Sequence, residues 1–355
     1  MPDSSAFSGS YDEARGKFLE AARAAGAALA HYPHPAGENL HLDVAVLGAR
    51  AAPRMLVIGS GTHGIEGFPG SAVQTAWLRS PGALPSGTTL AFFHAHNPWG
   101  FKRCTRVTED NVDLNRNFVD FAAPPANPGY DEVHPNITPE SWDEASIAAT
   151  FRWLDGYRER VGEKAFSTAF NGGQYAHADG IFYGGARAQW SNAAFLEATR
   201  AHAGHARQVA LVDLHTGIGP YGEHVYVGFS VPGTPMWERL RAWWGERAVN
   251  GQGITHKALA DYRGILTDAF TAALPQAEVT TAVVEFGTRP RAEMQRASMA
   301  QRWMRVHGAR QPQRLAQVQA EYVEAFYPAD PRWRAGVLEQ SREIIARGLA
   351  GLSST

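Results

Sequence analysis

The stretch Met55-Leu-Val-Ile-Gly-Ser-Gly-Thr-His-Gly-Ile-Glu-Gly-Phe-Pro-Gly70 decides how the rest of the chain is read. Met55 to Ile58 is an apolar run with the length and composition of a buried strand, and it stops at a glycine-rich turn that leads straight into polar chemistry. That turn carries His63 and Glu66, whose side chains can grip one ion if the backbone bends through Gly61 to Gly67. An imidazole and a carboxylate, with one further imidazole from elsewhere in the chain, form the ligand set of a catalytic zinc that keeps its fourth position open. The opposing reading of the pair alone is a solvated turn.

Gly59-Ser-Gly-Thr-His-Gly64 also spells G-x-G-x-x-G between a strand and a helix, where a dinucleotide fingerprint belongs. That fingerprint needs an acidic residue about twenty positions on, at the end of the next strand. The next strand ends in His94, Ala95, His96 and Asn97, with no carboxylate, and Glu66 would face the pyrophosphate at the helix N-terminus. A dinucleotide-binding oxidoreductase is therefore a distant alternative.

Composition narrows the field further. The chain has 355 residues, 44% of them hydrophobic, enough to bury a sizeable core. A net charge of -2 offers no basic stripe to nucleic acid and no cationic face to a membrane, so a small polar substrate fits better. One cysteine, Cys104, excludes an internal disulfide framework and a multi-cysteine metal cage, and points to a reducing compartment. The start Met1-Pro-Asp-Ser-Ser-Ala-Phe7 has no basic segment followed by an apolar one, so a cytoplasmic protein is expected, with the oligomeric state open.

In chain order, the spacing of Phe18, Ala22, Ala25 and Leu29 predicts a cover helix over about 10–31, followed by a proline-broken loop containing His34. Leu40 to Leu47 alternates like a half-buried strand, Ser71 to Arg79 reads as a helix, and Thr89 to His94 as the strand ended by the turn Asn97-Pro-Trp-Gly100. Lys102 to Phe118, rich in arginine, asparagine and aspartate, suits a polar pocket wall. Residues 122–141 read as a long surface loop with His134 exposed, then helices from Trp142 to about Val161 and from Ser191 to His205 flank a short strand between glycine pairs. Val209-Ala-Leu-Val-Asp-Leu-His215-Thr-Gly217 repeats the design of the first stretch, a buried strand delivering a histidine to its carboxyl end. A strand at His224 to Phe229, a tryptophan-rich helix from Met236 to Val249 and a strand Thr280 to Glu285 follow, and the remainder is helical in pattern. A carboxylate directly after Ala-Val-Val is costly unless paired or functional. No linker divides the chain, which reads as one domain over 1–355: the cover helix, a catalytic core of about 40–290 and C-terminal helices over about 290–355.

In open α/β sheets ligands sit outside the carboxyl ends of the strands, so His63 and His215 share one crevice if their strands are neighbours. Strand-end His63, Glu66, His215 and Glu285 then match the needs of metal-assisted amide hydrolysis: two imidazoles and a carboxylate for zinc, and a second carboxylate to carry the proton. His94 and His96, also at a strand end, read as structural residues.

The chain resembles the zinc carboxypeptidase superfamily, including the aspartoacylases and succinylglutamate desuccinylases. The matching pieces are Gly61-Thr-His63-Gly-Ile-Glu66, Asn97-Pro98, Asp113-Leu-Asn115-Arg116-Asn117, Asp213-Leu-His215-Thr216 and Glu285-Phe-Gly287, in that order, with 148 residues between Glu66 and His215 and 69 between His215 and Glu285. Phe7 to Arg15 and the chain length look like an uncharacterised carboxypeptidase-like subgroup. The resemblance implies a single-domain mixed β-sheet flanked by helices, one zinc per chain on His63, Glu66 and His215, and Glu285 as general base. It further implies Arg106 at the oxyanion with Arg103 as alternative, Asn115 and Arg116 on the substrate carboxylate, and Asp113 orienting a ligand histidine. A mobile tyrosine is assigned to Tyr221, with Tyr226 and Tyr262 as rivals. The expected substrate is a peptide or small molecule with a free carboxylate. An N-acyl amino acid deacylase is the alternative, and a non-catalytic carboxylate-binding protein a distant one. No G-x-S-x-G elbow for a serine hydrolase occurs.

Overall fold

The computed structural model describes residues 3–250 and 260–354. It is built on one mixed sheet of eight strands: β1 (Ala28–Pro33), β2 (His41–Leu47), β3 (Arg54–Ser60), β4 (Thr88–His94), β5 (Gln208–Thr216), β6 (His224–Gly228), β7 (Ala248–Asn250) and β8 (Glu278–Phe286). They lie in the order β1-β2-β4-β3-β5-β8-β6-β7. The four central strands β4, β3, β5 and β8 run parallel, and antiparallel partners close them on both sides.

A parallel centre is covered by helices on both faces, which is why its strands read as unbroken apolar runs. Leu56 and Ile58 of β3, with Ala210 and Val212 of β5, pack under the helices Gly67–Arg79 and Pro331–Ser354. Met55 and Val57, with Val209 and Leu211, pack on the opposite face under Trp190–Ala203 and Leu266–Ala273. The chain leaves β3 for β4 on one side, while β5 pairs on the other. This switch of direction opens a crevice at the carboxyl ends of β3 and β5.

Several expected elements differ. The first helix ends at Ala24 rather than near 31, because Gly26 takes φ 72° and Ala27 N–H bonds back to Ala22 O, a glycine C-terminus that frees residues 28–33 to form an edge strand. Pro33 is tolerated there as the last residue of that edge. His34 lies buried rather than in an open loop, with Nε2 3.2 Å from Glu109. Asn97 caps a short helix, Pro98–Lys102, where a turn was expected. The loop over 122–141 contains the helix Pro128–Val133, His134 is largely covered, and a further helix forms at Glu163–Asn171. The expected short strand between the glycine pairs is a single bridge, Gln174 to Tyr183. The tryptophan-rich helix stops at Trp244, before Gly245 with φ 69°, so that residues 248–250 pair with β6. No described helix is long and apolar enough to cross a membrane.

His94 stacks on Phe18 at 4.4 Å between centroids, with Nε2 2.9 Å from Ser71 Oγ. Burial pushes its imidazole down to about 4. The unfolded chain takes up this proton below about pH 6.5 and the folded chain does not, so stability is full above that pH and is lost as the pH falls towards 4. The loss ascribed to this group is about 3 kcal/mol. Denaturant unfolding at pH 7.5 and pH 4.5 is expected to show a smaller acid loss in His94→Gln than in wild type; equal losses would contradict the assignment.

Candidate metal centre

β3 ends at Ser60, and Gly61, at φ 69°, turns the chain so that His63 and Glu66 stand over the neighbouring strand β5. A Cβ on Gly64 would lie 2.1 Å from the Gly100 carbonyl carbon. The segment that follows β4 therefore covers this turn, held by Ile65 N–H to Thr105 O at 2.9 Å and Gly64 N–H to Arg106 O at 3.2 Å. The glycines serve this close approach, and the turn does not lie open to a pyrophosphate as the dinucleotide reading requires.

His63, Glu66 and His215 meet in the crevice. His63 Nδ1 lies 3.0 Å from Glu66 Oε1, His215 Nδ1 lies 2.9 Å from Glu66 Oε2, and the two Nδ1 atoms are 3.2 Å apart. The opposite edges of both rings meet carboxylates: His215 Nε2 is 2.7 Å from Asp213 Oδ2, and His63 Nε2 is 3.3 Å from Asp113 Oδ1. A metal-binding histidine commonly has its second nitrogen held this way. Two imidazole nitrogens and a carboxylate turned towards one another suit a zinc ion in donor type and number. Thr62 Oγ1 donates to both Asp213 oxygens and contacts His96 Nδ1 at 2.8 Å, which places His96 behind the carboxylate as a support.

Charge in this cluster is strongly biased. Burial alone would raise the Glu66 and Asp113 carboxyls, but His63 and His215 around the first, and Arg106 and His63 around the second, hold both well below the usual range. Burial likewise opposes the His215 cation, yet Asp213 and Glu66 raise it well above its ordinary value. Glu285, beside His215 in the β5–β8 register, is pushed the other way, up to about 7, chiefly by burial and further by the Glu66 charge. Its Oε2 accepts from Ile218 N–H at 3.3 Å.

A cavity of about 470 Å³ joins these groups to Arg106, Asn115, Arg116, Phe182 and Tyr262. Arg106 Nε donates to Asp113 at 2.9 Å, its Nη1 lies 3.4 Å from Glu66, and its Nη2 lies 2.6 Å from His63 Nε2. Asn115 Oδ1 accepts from Leu266 N–H at 2.8 Å. Arg116 donates to the carbonyls of Asn115 and Asn171, and its buried Nε has no hydrogen-bond partner among the described residues.

Of the expected arginines and tyrosines, three fall outside the cavity. Arg103 follows a short helix and turns outward to Trp99, at 4.6 Å, and to Glu38, at 2.9 Å. Tyr221 is half exposed and donates to Asp330, while Tyr226 is buried against Trp244. Of the three tyrosines only Tyr262 lines the cavity, with Arg116 4.7 Å from its ring centre. Asp213 was legible, standing two residues before His215 on the same strand face; Phe182, in an irregular loop, left no signal. A second cluster, His134, His177 and Asp179, is already served by Arg302, whose Nη2 lies 3.1 Å from His134 Nε2 and 2.8 Å from Asp179 Oδ2. Asp213→Asn is expected to weaken zinc affinity about 10- to 100-fold in competition with a chromophoric chelator, and unchanged affinity would show that Asp213 does not orient His215.

The chain is similar to bovine thrombin-activatable fibrinolysis inhibitor, solved in complex with tick carboxypeptidase inhibitor, at 12% identity over 95% of this chain and 98% of that one, TM-score 0.45. It is also similar to murein-tripeptide amidase MpaA from Escherichia coli O157, at 16% identity over 79% and 91%, TM-score 0.38. A third is the metallo-carboxypeptidase from Burkholderia cenocepacia, at 11% identity over 86% and 68%, TM-score 0.38. No curated protein sequence matches significantly. Residues 7–340 match a family described as "Protein of unknown function (DUF2817)", and the chain belongs to that family.

Proposed function

We propose that this chain is a zinc-dependent hydrolase that cleaves an amide or peptide bond beside a free carboxylate. The observation that carries this reading is the convergence of His63 Nδ1, His215 Nδ1 and the Glu66 carboxylate in a cavity that also holds Glu285, Arg106 and Arg116. His63, Glu66 and His215 would hold one zinc ion. When bound, zinc supplies Lewis acidity to a carbonyl oxygen and lowers the pKa of a water at its open position to about 7.

The protein's own groups do the rest. Glu285, buried and raised to about 7, accepts a proton from the attacking water and delivers it to the leaving nitrogen as the C–N bond breaks, giving a carboxylate and an amine. Arg106, fixed by Asp113, presents its guanidinium to the oxygen on which charge develops. Arg116 is a buried cation without a carboxylate partner among the described residues, a costly arrangement that an incoming carboxylate relieves. Asn115 stands beside it. The sequence resemblance to zinc carboxypeptidases supports the same assignment, and N-acyl amino acids remain candidate substrates next to peptides.

The test is release of amine from dipeptides and N-acyl amino acids screened in parallel. Glu285→Gln is expected to lower kcat about 1,000-fold with zinc content unchanged. Arg116→Ala is expected to raise KM for every substrate with a free carboxylate and to leave carboxyl-amidated analogues unaffected. Full activity in Glu285→Gln would contradict the proton-carrier role.

A further inference from the structure

Phe182 stands between two arginines with different proposed roles, Arg106 at the scissile carbonyl and Arg116 at the substrate carboxylate. Arg106 Cζ lies 5.2 Å from its ring centre and Arg116 Cζ 5.8 Å, and no other described aromatic ring is shared by these two guanidiniums. The ring is buried and lines the cavity. Its backbone is held at φ 50°, a left-handed conformation that a bulky side chain rarely adopts. Such a conformation persists only where the surroundings over-determine it. Here they do: Ile181 N–H donates to Tyr130 Oη at 2.8 Å, Gln174 N–H to Phe182 O at 3.2 Å, and Asp113 N–H to Tyr183 O at 2.7 Å. The last of these ties the Phe182 loop to the residue that fixes Arg106.

Two guanidiniums in one cavity repel each other. Arg106 has Asp113 and Glu66 within ion-pair distance, whereas Arg116 forms no ion pair among the described residues: Asp113 acts on it only at longer range, and its contacts include backbone carbonyls and the rings of Phe182 and Tyr262. The electron-rich face of an aromatic ring attracts a cation without forming a salt bridge that would compete with an incoming carboxylate.

We propose that Phe182 is a positioning residue: its ring is a shared cation–π platform that sets Arg106 and Arg116 relative to one another, so that one side chain registers both the scissile carbonyl and the free carboxylate of the substrate. This rests on the hydrolase reading of the same cavity. It gives Phe182 no contact with the reacting atoms.

The test compares Phe182→Leu, which keeps apolar bulk without a π face, with Phe182→Tyr, which restores the face. Three readouts are taken: kcat and KM on the best substrate of the screen, affinity for 3-phenylpropionate by calorimetry as a probe of the carboxylate site alone, and melting temperature with zinc content as controls. Phe182→Leu is expected to lower kcat and raise KM by about tenfold each and to weaken 3-phenylpropionate by about tenfold, with zinc content unchanged and Phe182→Tyr within about twofold of wild type. Kinetics and probe affinity within about twofold of wild type in Phe182→Leu would overturn the proposal, as would a Phe182→Tyr variant damaged equally. Should Phe182→Leu lose its zinc or its fold, Phe182→Met is read against the same thresholds. A wild type that neither hydrolyses any substrate nor binds 3-phenylpropionate would overturn the hydrolase reading itself, and this proposal with it.

Discussion

Four carboxylates, Glu66, Asp113, Asp213 and Glu285, lie buried around two imidazoles at the carboxyl ends of adjacent parallel strands. Burying that much negative charge is tolerable only where cations or hydrogen-bond donors answer it. His215 answers Asp213 and Glu66, Arg106 answers Asp113, and Thr62 closes the far side of Asp213. Glu285 forms no ion pair among the described residues, and burial, helped by the Glu66 charge, raises its pKa despite His215 and His63 nearby. The carboxyls therefore divide by charge, with three held as anions and the fourth, Glu285, raised to about 7, the division that the proposed hydrolase uses.

The sheet makes this division possible. Because β3, β5 and β8 are parallel and in register, Ser60 lies opposite Leu214, and His215 opposite Glu285, so candidate site residues from sequence positions far apart arrive on one rim. Each of the central strands places buried apolar residues on both faces, which fixes the rim in place. The loop after β4 then folds back over the His63 turn and brings Arg106 and Asn115-Arg116 to the opposite wall.

The strands that carry His63, His215 and Glu285 were legible because a buried parallel strand is a continuous apolar run, and a polar residue at its end is conspicuous. Edge strand β1 was not, since its residues continue a helical spacing and only the turn at Gly26 breaks it. Arg106 was preferred to Arg103 only through the resemblance, not by local pattern. Both belong to one polar run, and the difference comes from the short helix Pro98–Lys102, after which Arg103 turns out to Trp99 and Glu38 while Arg106 lies three residues further into the crevice. Phe182 was hidden, and Tyr262 was named only as a rival to Tyr221, for a related reason: irregular segments have no periodicity, so their inward direction depends on long-range contacts and not on local pattern.

The most direct test of the metal centre is anomalous diffraction at the zinc edge from crystals of the zinc-loaded protein. A single strong peak in contact with His63 Nδ1, His215 Nδ1 and the Glu66 carboxylate is the predicted result. A peak at His134, His177 and Asp179 instead, or none at the ends of β3 and β5, would contradict it.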